Sequence, residues 1–400
     1  MKLRYLLPML LSLVLLFTGC TENTPSVNES EPTENKPETT EAVPDETVPQ
    51  SETETETEPE TTEEKEELVI PSSNNLQFTT DKEGIYNYCP SIMQMSNGTL
   101  YIYYCTNQKS YEVVDYIGCR KGTRDGDGNI TWGEEKIVLS PSEGTWDAHH
   151  TCDPSVIAGD FKYQGASYKY LMAYLGCTSY DSQDNKIGLA VANSPEGPFT
   201  KVGNTPFIDF TMDESFTGFQ WGVGQPSLTS IDKSGKVYLF YTRGDKNGTG
   251  EMVDEWDLSD LDAPKKEITE TLSTRSLYDL NGNKDIMNNA DFVYDAENKR
   301  FYAVSDCHPN PSDEPNYIAS HVRVNYFDLK LSFSNFSWKS LKTISSEETG
   351  FPRNHNAGIL RDEYGQLTDN GYLTVFYTVS ETGNTSLWSY RIYNYNIAIE

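Results

Sequence analysis

The chain has 400 residues and a formal net charge of −30, with 61 acidic side chains against 31 Lys and Arg. Nucleic acids and anionic lipid surfaces are held through basic patches that release counterions, so this balance excludes both and leaves neutral or cationic ligands. None of the cysteine spacings forms a Cys-x-x-Cys zinc pair, and pairing among Cys89, Cys105, Cys119, Cys152, Cys177 and Cys307 is undetermined from sequence.

Met1-Lys2-Leu3-Arg4 is basic, and an uncharged, largely apolar run from Tyr5 to Phe17 follows before Thr18-Gly19-Cys20. The run is shorter than the about 20 residues a spanning helix needs, so residues 1–19 read as a secretory signal. Phe17-Thr18-Gly19-Cys20 resembles the bacterial lipobox, with Phe17 where Leu is usual, and the resemblance implies lipidation of Cys20. The alternative is ordinary secretion with Cys20 inside the leader. Residues 20–67 are almost all Glu, Thr, Pro, Ser and Asn, with 17 acidic residues against Lys36 and Lys65. So few apolar side chains cannot offset the entropy of ordering, and an extended, disordered stalk is expected. The expected location is the extracellular face of a bacterial cell membrane, with the lipid anchor as the only membrane contact.

The folded part is expected from Leu68 to Glu400, where a short motif recurs five times. It begins at Cys89-Pro90-Ser91-Ile92, Asp153-Pro154-Ser155-Val156, Gln225-Pro226-Ser227-Leu228, Asn289-Ala290-Asp291-Phe292 and Asn356-Ala357-Gly358-Ile359, with spacings of 64, 72, 64 and 67 residues. Each copy precedes a turn and an alternating strand, predicted over 99–104, 168–175, 236–241, 300–304 and 372–378. Repeats of this length suit four-stranded antiparallel blades, so the fold class is all-β and the architecture a five-bladed β-propeller, with a β-sandwich as the alternative. The acidic segment from Glu251 to Glu270 reads as a surface insertion between the third and fourth blades. Nothing in the pattern calls for an oligomer, and a monomer is expected.

In a propeller, equivalent positions of successive inner strands meet around one channel. Cys89, Asp153, Gln225, Asn289 and Asn356 would line it, with Ser91, Ser155, Ser227, Asp291 and Gly358 deeper. The segments just upstream would form a rim with Tyr86, Tyr88, Trp146, Phe219 and Trp221 beside Asp147, His149, His150, Arg353 and His355. Aromatic faces next to hydrogen-bonding groups suit a sugar, whose apolar face stacks on a ring while its hydroxyls take polar groups. Wedging between blades is the alternative reading of each aromatic.

Asp153-Pro154-Ser155-Val156, Tyr170-Leu171-Met172-Ala173-Tyr174, Ile187-Gly188-Leu189-Ala190-Val191-Ala192 and Ser194-Pro195-Glu196-Gly197-Pro198-Phe199 together resemble the second blade of family 43 glycoside hydrolases. His355 resembles the channel histidine that helps that family hold a central water or calcium ion. The resemblance implies carbohydrate as ligand, arabinose- or xylose-containing glycans among the substrates, and no required cofactor beyond such a calcium ion. It also implies a base Asp on the first inner strand, a tuning Asp on the second and an acid Glu on the third. This chain has Cys89, Asp153 and Gln225 there, so two of three positions depart from the pattern, and Glu196 reads as a turn residue.

Two functions stay open. One is a surface-anchored hydrolase of plant or algal oligo- and polysaccharides with a rearranged constellation. Asp153 and Asp291 would be its carboxylates, and His150, His149 or Glu214 its acid, since imidazole titrates near neutrality. Trp146, His149, Trp221, Gln225, Asn289, Arg353 and Asn356 would bind the sugar. A related five-bladed family acting on agar oligosaccharides is similar in using His as acid. The other is a glycan-binding surface lipoprotein without catalysis. The run Asp306-Cys307-His308 reads as a solvated loop, with a metal role as the alternative.

Overall fold

Alternation of Tyr, Val, Ile and Phe with polar residues builds antiparallel hairpins, and five sets of them make up the fold. The computed structural model describes residues 68–400 apart from 331, 369, 370 and 400, so the signal sequence, Cys20 and the stalk lie outside the described residues. The first blade is built on Asn87–Gln94, Leu100–Thr106 and Tyr116–Arg124, with Ile130–Trp132 and Lys136–Leu139 both pairing to the third of these. The second orders His150–Tyr163, Ala166–Cys177, Lys186–Ala192 and Thr200–Lys201. The third orders Gly222–Ser230, Lys236–Asp245, Gly248–Asp257 and Lys265–Thr271, and the fourth Asp291–Asp295, Arg300–Asp306, Val322–Asp328 and Lys339–Ile344. The fifth has Arg353–Ile359, Tyr372–Ser380 and Arg391–Ala398. All five predicted second strands are present, each running two or more residues past its predicted C-terminal end, and the first begins one residue later.

The ring closes with chain from its beginning. Asn74 N and Gln77 N donate to the carbonyls of Asn394 and Ile392, so residues near Leu76 cover the outer edge of the last strand. An exposed strand edge is thereby removed. One segment departs from its sequence reading: Glu251 to Glu270 is no insertion but most of the two outer strands of the third blade. Its acids alternate with Met252, Val253 and Trp256, and Glu251 is itself buried, accepting from Thr242 Oγ1 at 3.0 Å.

Apolar side chains pool between neighbouring blades. Ile92, Leu100 and Tyr104 pack on Leu360 and Phe376, closing the fifth blade on the first. Met93, Tyr101 and Tyr103 meet Val156, Met172 and Tyr174, and Phe161 and Leu171 meet Leu228 and Leu239. Phe240 stacks on Phe292 with ring centroids 4.0 Å apart, and Val293 and Tyr302 meet Val375 and Tyr377. Each interface removes apolar surface at about 25 cal/mol per Å2, which holds five sheets as one ring and fixes the positions of their inner strands.

Candidate active site

The five motif copies share one backbone device. Cys89, Asp153, Gln225, Asn289 and Asn356 all take left-handed backbone, with φ of 51°, 47°, 52°, 48° and 42°. In four blades the ladder shifts register at that point, between Tyr88 and Ser91, Cys152 and Ser155, Gly224 and Ser227, and His355 and Gly358. Such a bulge re-aims a side chain, and for non-glycine residues the conformation costs about 1–2 kcal/mol each. The side chains at the bulge, with Ser91 and Asp291 from the row two residues on, then line one cavity, whose lining includes Cys89, Asp153, Gln225, Asn289 and Asn356.

The upper row is part-open and linked around the ring. Gln225 N donates to the Asp153 carboxylate, and Asn289 N donates to Gln225 Oε1 at 2.9 Å. Asn356 N donates to Asp306 Oδ1 at 2.9 Å, and Asn289 Nδ2 to Asp306 Oδ2 at 2.6 Å. Asn356 Nδ2 also points at Cys89 Sγ, 2.7 Å away. Burial pushes the Asp153 carboxyl up to about 6, against the hydrogen bonds from Cys89 and Gln225 that favour its charge. Burial likewise pushes Asp306 up to about 7 despite its two donors. Both therefore titrate where a carboxyl can exchange protons near neutral pH.

The lower row is closed by Arg361, which is fully buried. Its Nη1 donates to Asp291 Oδ1 at 2.8 Å, to Ser227 Oγ at 3.2 Å and to the Phe292 carbonyl at 3.2 Å. Its Nη2 donates to Ser91 Oγ at 2.8 Å and Ser155 Oγ at 3.0 Å. Asp291 also accepts from Ser227 Oγ and Ile359 N. The expected pairing of Asp291 with Asp153 as site carboxylates is thus corrected: Asp291 lies a layer down, with both oxygens engaged by a guanidinium, a hydroxyl and an amide. Gly358 completes this row because a Cβ there would lie 2.0 Å from the Pro90 carbonyl.

The rim carries two carboxylate-oriented histidines. His150 Nδ1 lies 2.6 Å from Asp115 Oδ2, its Nε2 faces the Tyr180 carbonyl at 3.4 Å, and the residue is 2% exposed. Burial opposes its charge, but Asp115 outweighs burial and raises its pKa. Both ring nitrogens are occupied, so His150 does not face the cavity as a proton donor. His149 packs edge-on against it, and burial lowers its pKa. On the fourth blade His308 Nδ1 donates to Asp285 Oδ1 at 2.7 Å, and its side chain is 25% exposed. Burial again opposes charge and Asp285 prevails, raising the pKa. The run 306–308 is therefore a buried carboxyl, a buried thiol and a half-open imidazole, not a solvated loop.

Other expected site residues separate. Trp221 packs on Leu175 and the Cys105–Cys152 pair, close to Cys89. Trp146 stacks on Tyr174 and covers Gly176, wedged onto the core of the first two blades. Arg353 is buried and bonds Asp313 and Pro315, so it anchors a loop instead of facing a ligand. Glu214 is exposed before the third blade, and Glu196 lies on a turn, paired with Lys136 at 2.6 Å.

Calcium does not fit the channel. The ion takes six to eight oxygen ligands, whereas His355 Nδ1 contacts Asn356 Oδ1 at 2.7 Å and its ring packs on Tyr390. Burial drives His355 down to about 4, so it is a neutral imidazole, and the axis below already holds the Arg361 cation. Sequence reasoning missed Asp115 and Asp285, and read Asp306 and His308 as a solvated loop with a metal role as the alternative. Hairpin register carried a signal for Asp306: in an antiparallel pair the end of the second strand lies beside the start of the inner one, which places it next to Asn289.

No family model matches the chain, and no curated protein matches it. Solved structures do match. A family 117 glycoside hydrolase produced by the marine bacterium Zobellia galactanivorans is 14% identical, with a TM-score of 0.52 over 82% of this chain and 91% of that one. An endo-1,4-beta-xylanase from Bacteroides thetaiotaomicron is 14% identical, with a TM-score of 0.51 over 80% and 94%. A thermostable family-43 glycoside hydrolase is 15% identical, with a TM-score of 0.50 over 81% and 94%. At these identities the likeness is one of fold, the five-bladed β-propeller.

Proposed function

We propose that the chain hydrolyses a glycosidic bond in plant or algal oligo- or polysaccharides, with Asp153 as base and His308 as acid. The observation that carries this reading is a part-open carboxylate in the cavity wall on the second blade, together with a part-open, Asp285-oriented imidazole two residues after Asp306, whose carboxyl is bonded to the cavity residues Asn289 and Asn356. Asp153 takes a proton from water as the water oxygen bonds to the anomeric carbon. The carbon–oxygen bond to the leaving group breaks, and His308 gives that oxygen a proton from Nε2, which is the inverting arrangement. Asp306 positions Asn289 and Asn356 from between them. Three matched propellers are named as glycoside hydrolases or a xylanase, which supports the class of reaction.

Incubating the chain with arabinan, xylan, agar and galactan oligosaccharides tests the reading. Product release that falls by about 1,000-fold in Asp153→Asn is expected, within the usual range for a general base. The absence of carboxylates at Cys89 and Gln225 favours a second reading, a glycan-binding protein, and a rise in Tm with a glycan but no product would establish it. Attachment at the outer membrane face through Cys20 is part of the same proposal. Incorporation of labelled fatty acid that is lost in Cys20→Ser is the expected result.

A further inference from the structure

Beside Asp153, at the level of the upper row, three cysteines from three strands gather. Cys89 comes from the inner strand of the first blade, Cys105 from the strand next to it and Cys152 from the inner strand of the second. Cys105 and Cys152 are joined as a disulfide, and Cys89 is a free thiol. The three sulfurs and an Asp153 carboxylate oxygen all lie within 4.8 Å of one another. A disulfide in a ring already held by five interblade cores needs no third thiol or carboxylate against it, so the cluster asks for another explanation.

The donors around it supply one. Asn356 Nδ2 is aimed at Cys89 Sγ from 2.7 Å, Asp153 N at Cys105 Sγ from 3.0 Å, and the Tyr88 hydroxyl at Cys152 Sγ from 3.1 Å, while Gln225 N donates to the Asp153 carboxylate. Each of the four groups thus has its own hydrogen-bond donor. Neutral sulfur is a weak acceptor, and donors aimed at every ligand atom are what orients and stabilises thiolates and carboxylates around a metal ion. Leu175, Trp221 and Tyr88 close an apolar shell around the sulfurs.

We propose that, when the Cys105–Cys152 bond is reduced, Cys89, Cys105, Cys152 and Asp153 bind a thiophilic divalent cation, for which zinc is the natural probe. An external dithiol or phosphine supplies the two electrons, and two protons from water or the thiols complete the opening of the disulfide. The cation then displaces three protons from the three thiols. Three thiolates and one carboxylate form a tetrahedral set, and with zinc–sulfur bonds of about 2.3 Å the sulfurs sit about 3.8 Å apart, inside the spread already present. The oxidised chain leaves Asp153 free for proton transfer, and the metal-bound chain engages it, so redox state selects what this carboxylate does. The inference does not rest on the hydrolytic reading, because bound metal is measured and not product.

The purified chain is reduced with a phosphine, loaded with zinc under anaerobic conditions, freed of excess metal and analysed for metal content. Cobalt(II) is loaded in parallel for spectroscopy. About one zinc per chain is expected, with thiolate-to-cobalt charge-transfer bands and the visible bands of a tetrahedral site. Cys89→Ser, which leaves the Cys105–Cys152 pair in place, is expected to weaken zinc binding by about 100-fold, whereas Cys307→Ser, outside the cluster, leaves it unchanged. A metal-free chain, a cobalt spectrum without thiolate bands, equal zinc in Cys89→Ser, or a circular dichroism signal lost on reduction and not restored by zinc would each overturn the proposal.

Discussion

Two rings of side chains stand one above the other in the same channel, drawn from the same five repeats, and they are built on opposite principles. The lower ring of Ser91, Ser155, Ser227, Asp291 and Gly358 surrounds Arg361, and its hydroxyls and carboxylate are saturated by that guanidinium and by backbone amides. The upper ring of Cys89, Asp153, Gln225, Asn289 and Asn356 is held in left-handed backbone, is open to the funnel and surrounds carboxyls raised by burial. Strain and desolvated ionisable groups persist only where the surroundings over-determine them. Here the saturated ring beneath provides that support, so the repeat secures the ring at its base and leaves reactive groups part-open above it.

If that division is right, the lower ring should fail in stability alone and the upper ring in chemistry. Arg361→Leu strands Asp291 as a buried, unpaired carboxylate, and a loss of about 3–5 kcal/mol in urea unfolding is expected. An effect under about 1 kcal/mol would mean that Arg361 does not hold the ring. The next effect is linkage. Asp306 has a folded pKa of about 7, above its unfolded value, so its protonation supports the fold fully below about pH 4, and that support is lost as pH rises to about 7. Unfolding free energy should drop by about 2–3 kcal/mol from pH 5 to pH 8. Asp306→Asn should flatten that slope. Asn289 Oδ1, buried and without a partner, can accept from the new amide once the Asn289 side chain flips.

The fold was legible because the propeller repeats its period: five Pro- or Ala-containing motifs at near-equal spacing put Asp153, Gln225, Asn289 and Asn356 around one axis before any coordinates. What alternation could not supply was the bulge. With φ near 50° at each upper-ring residue, the row that alternation turns inward and the row two residues later both reach the channel, at different depths. The sequence placed Asp291 a layer deeper than Asp153, as observed, but did not show that its carboxylate is engaged there by Arg361, Ser227 and the Ile359 amide. Arg361 sits outside the motif, two residues past Ile359, and its strand pairs in parallel with Met93 and Gln94 of the first blade. No local pattern announces a long side chain that re-enters the axis from there. His150 was misjudged for a related reason. Adjacent His149 and His150 on a rim segment suggested a site, but partners distant in sequence decide accessibility, and Asp115 and the Tyr180 carbonyl use both nitrogens of His150.

The assignment of the acid to the fourth blade gives the smallest and most discriminating effect. His308 must carry its proton to act, and Asp285 holds its pKa above the usual histidine value against the opposing effect of burial. Activity should therefore decline on the alkaline side as His308 loses that proton. Asp285→Asn removes the carboxylate that favours the imidazolium while keeping a hydrogen-bonding group beside Nδ1. The alkaline limb should move to lower pH and kcat at pH 7.5 should fall about tenfold, with KM and Tm nearly unchanged. His150 is paired with Asp115 in a buried dyad of the same chemistry, so Asp115→Asn is the matched comparison. If His308 is the donor, Asp115→Asn lowers Tm without shifting the limb, and a limb that follows Asp115 would return the acid to the second blade.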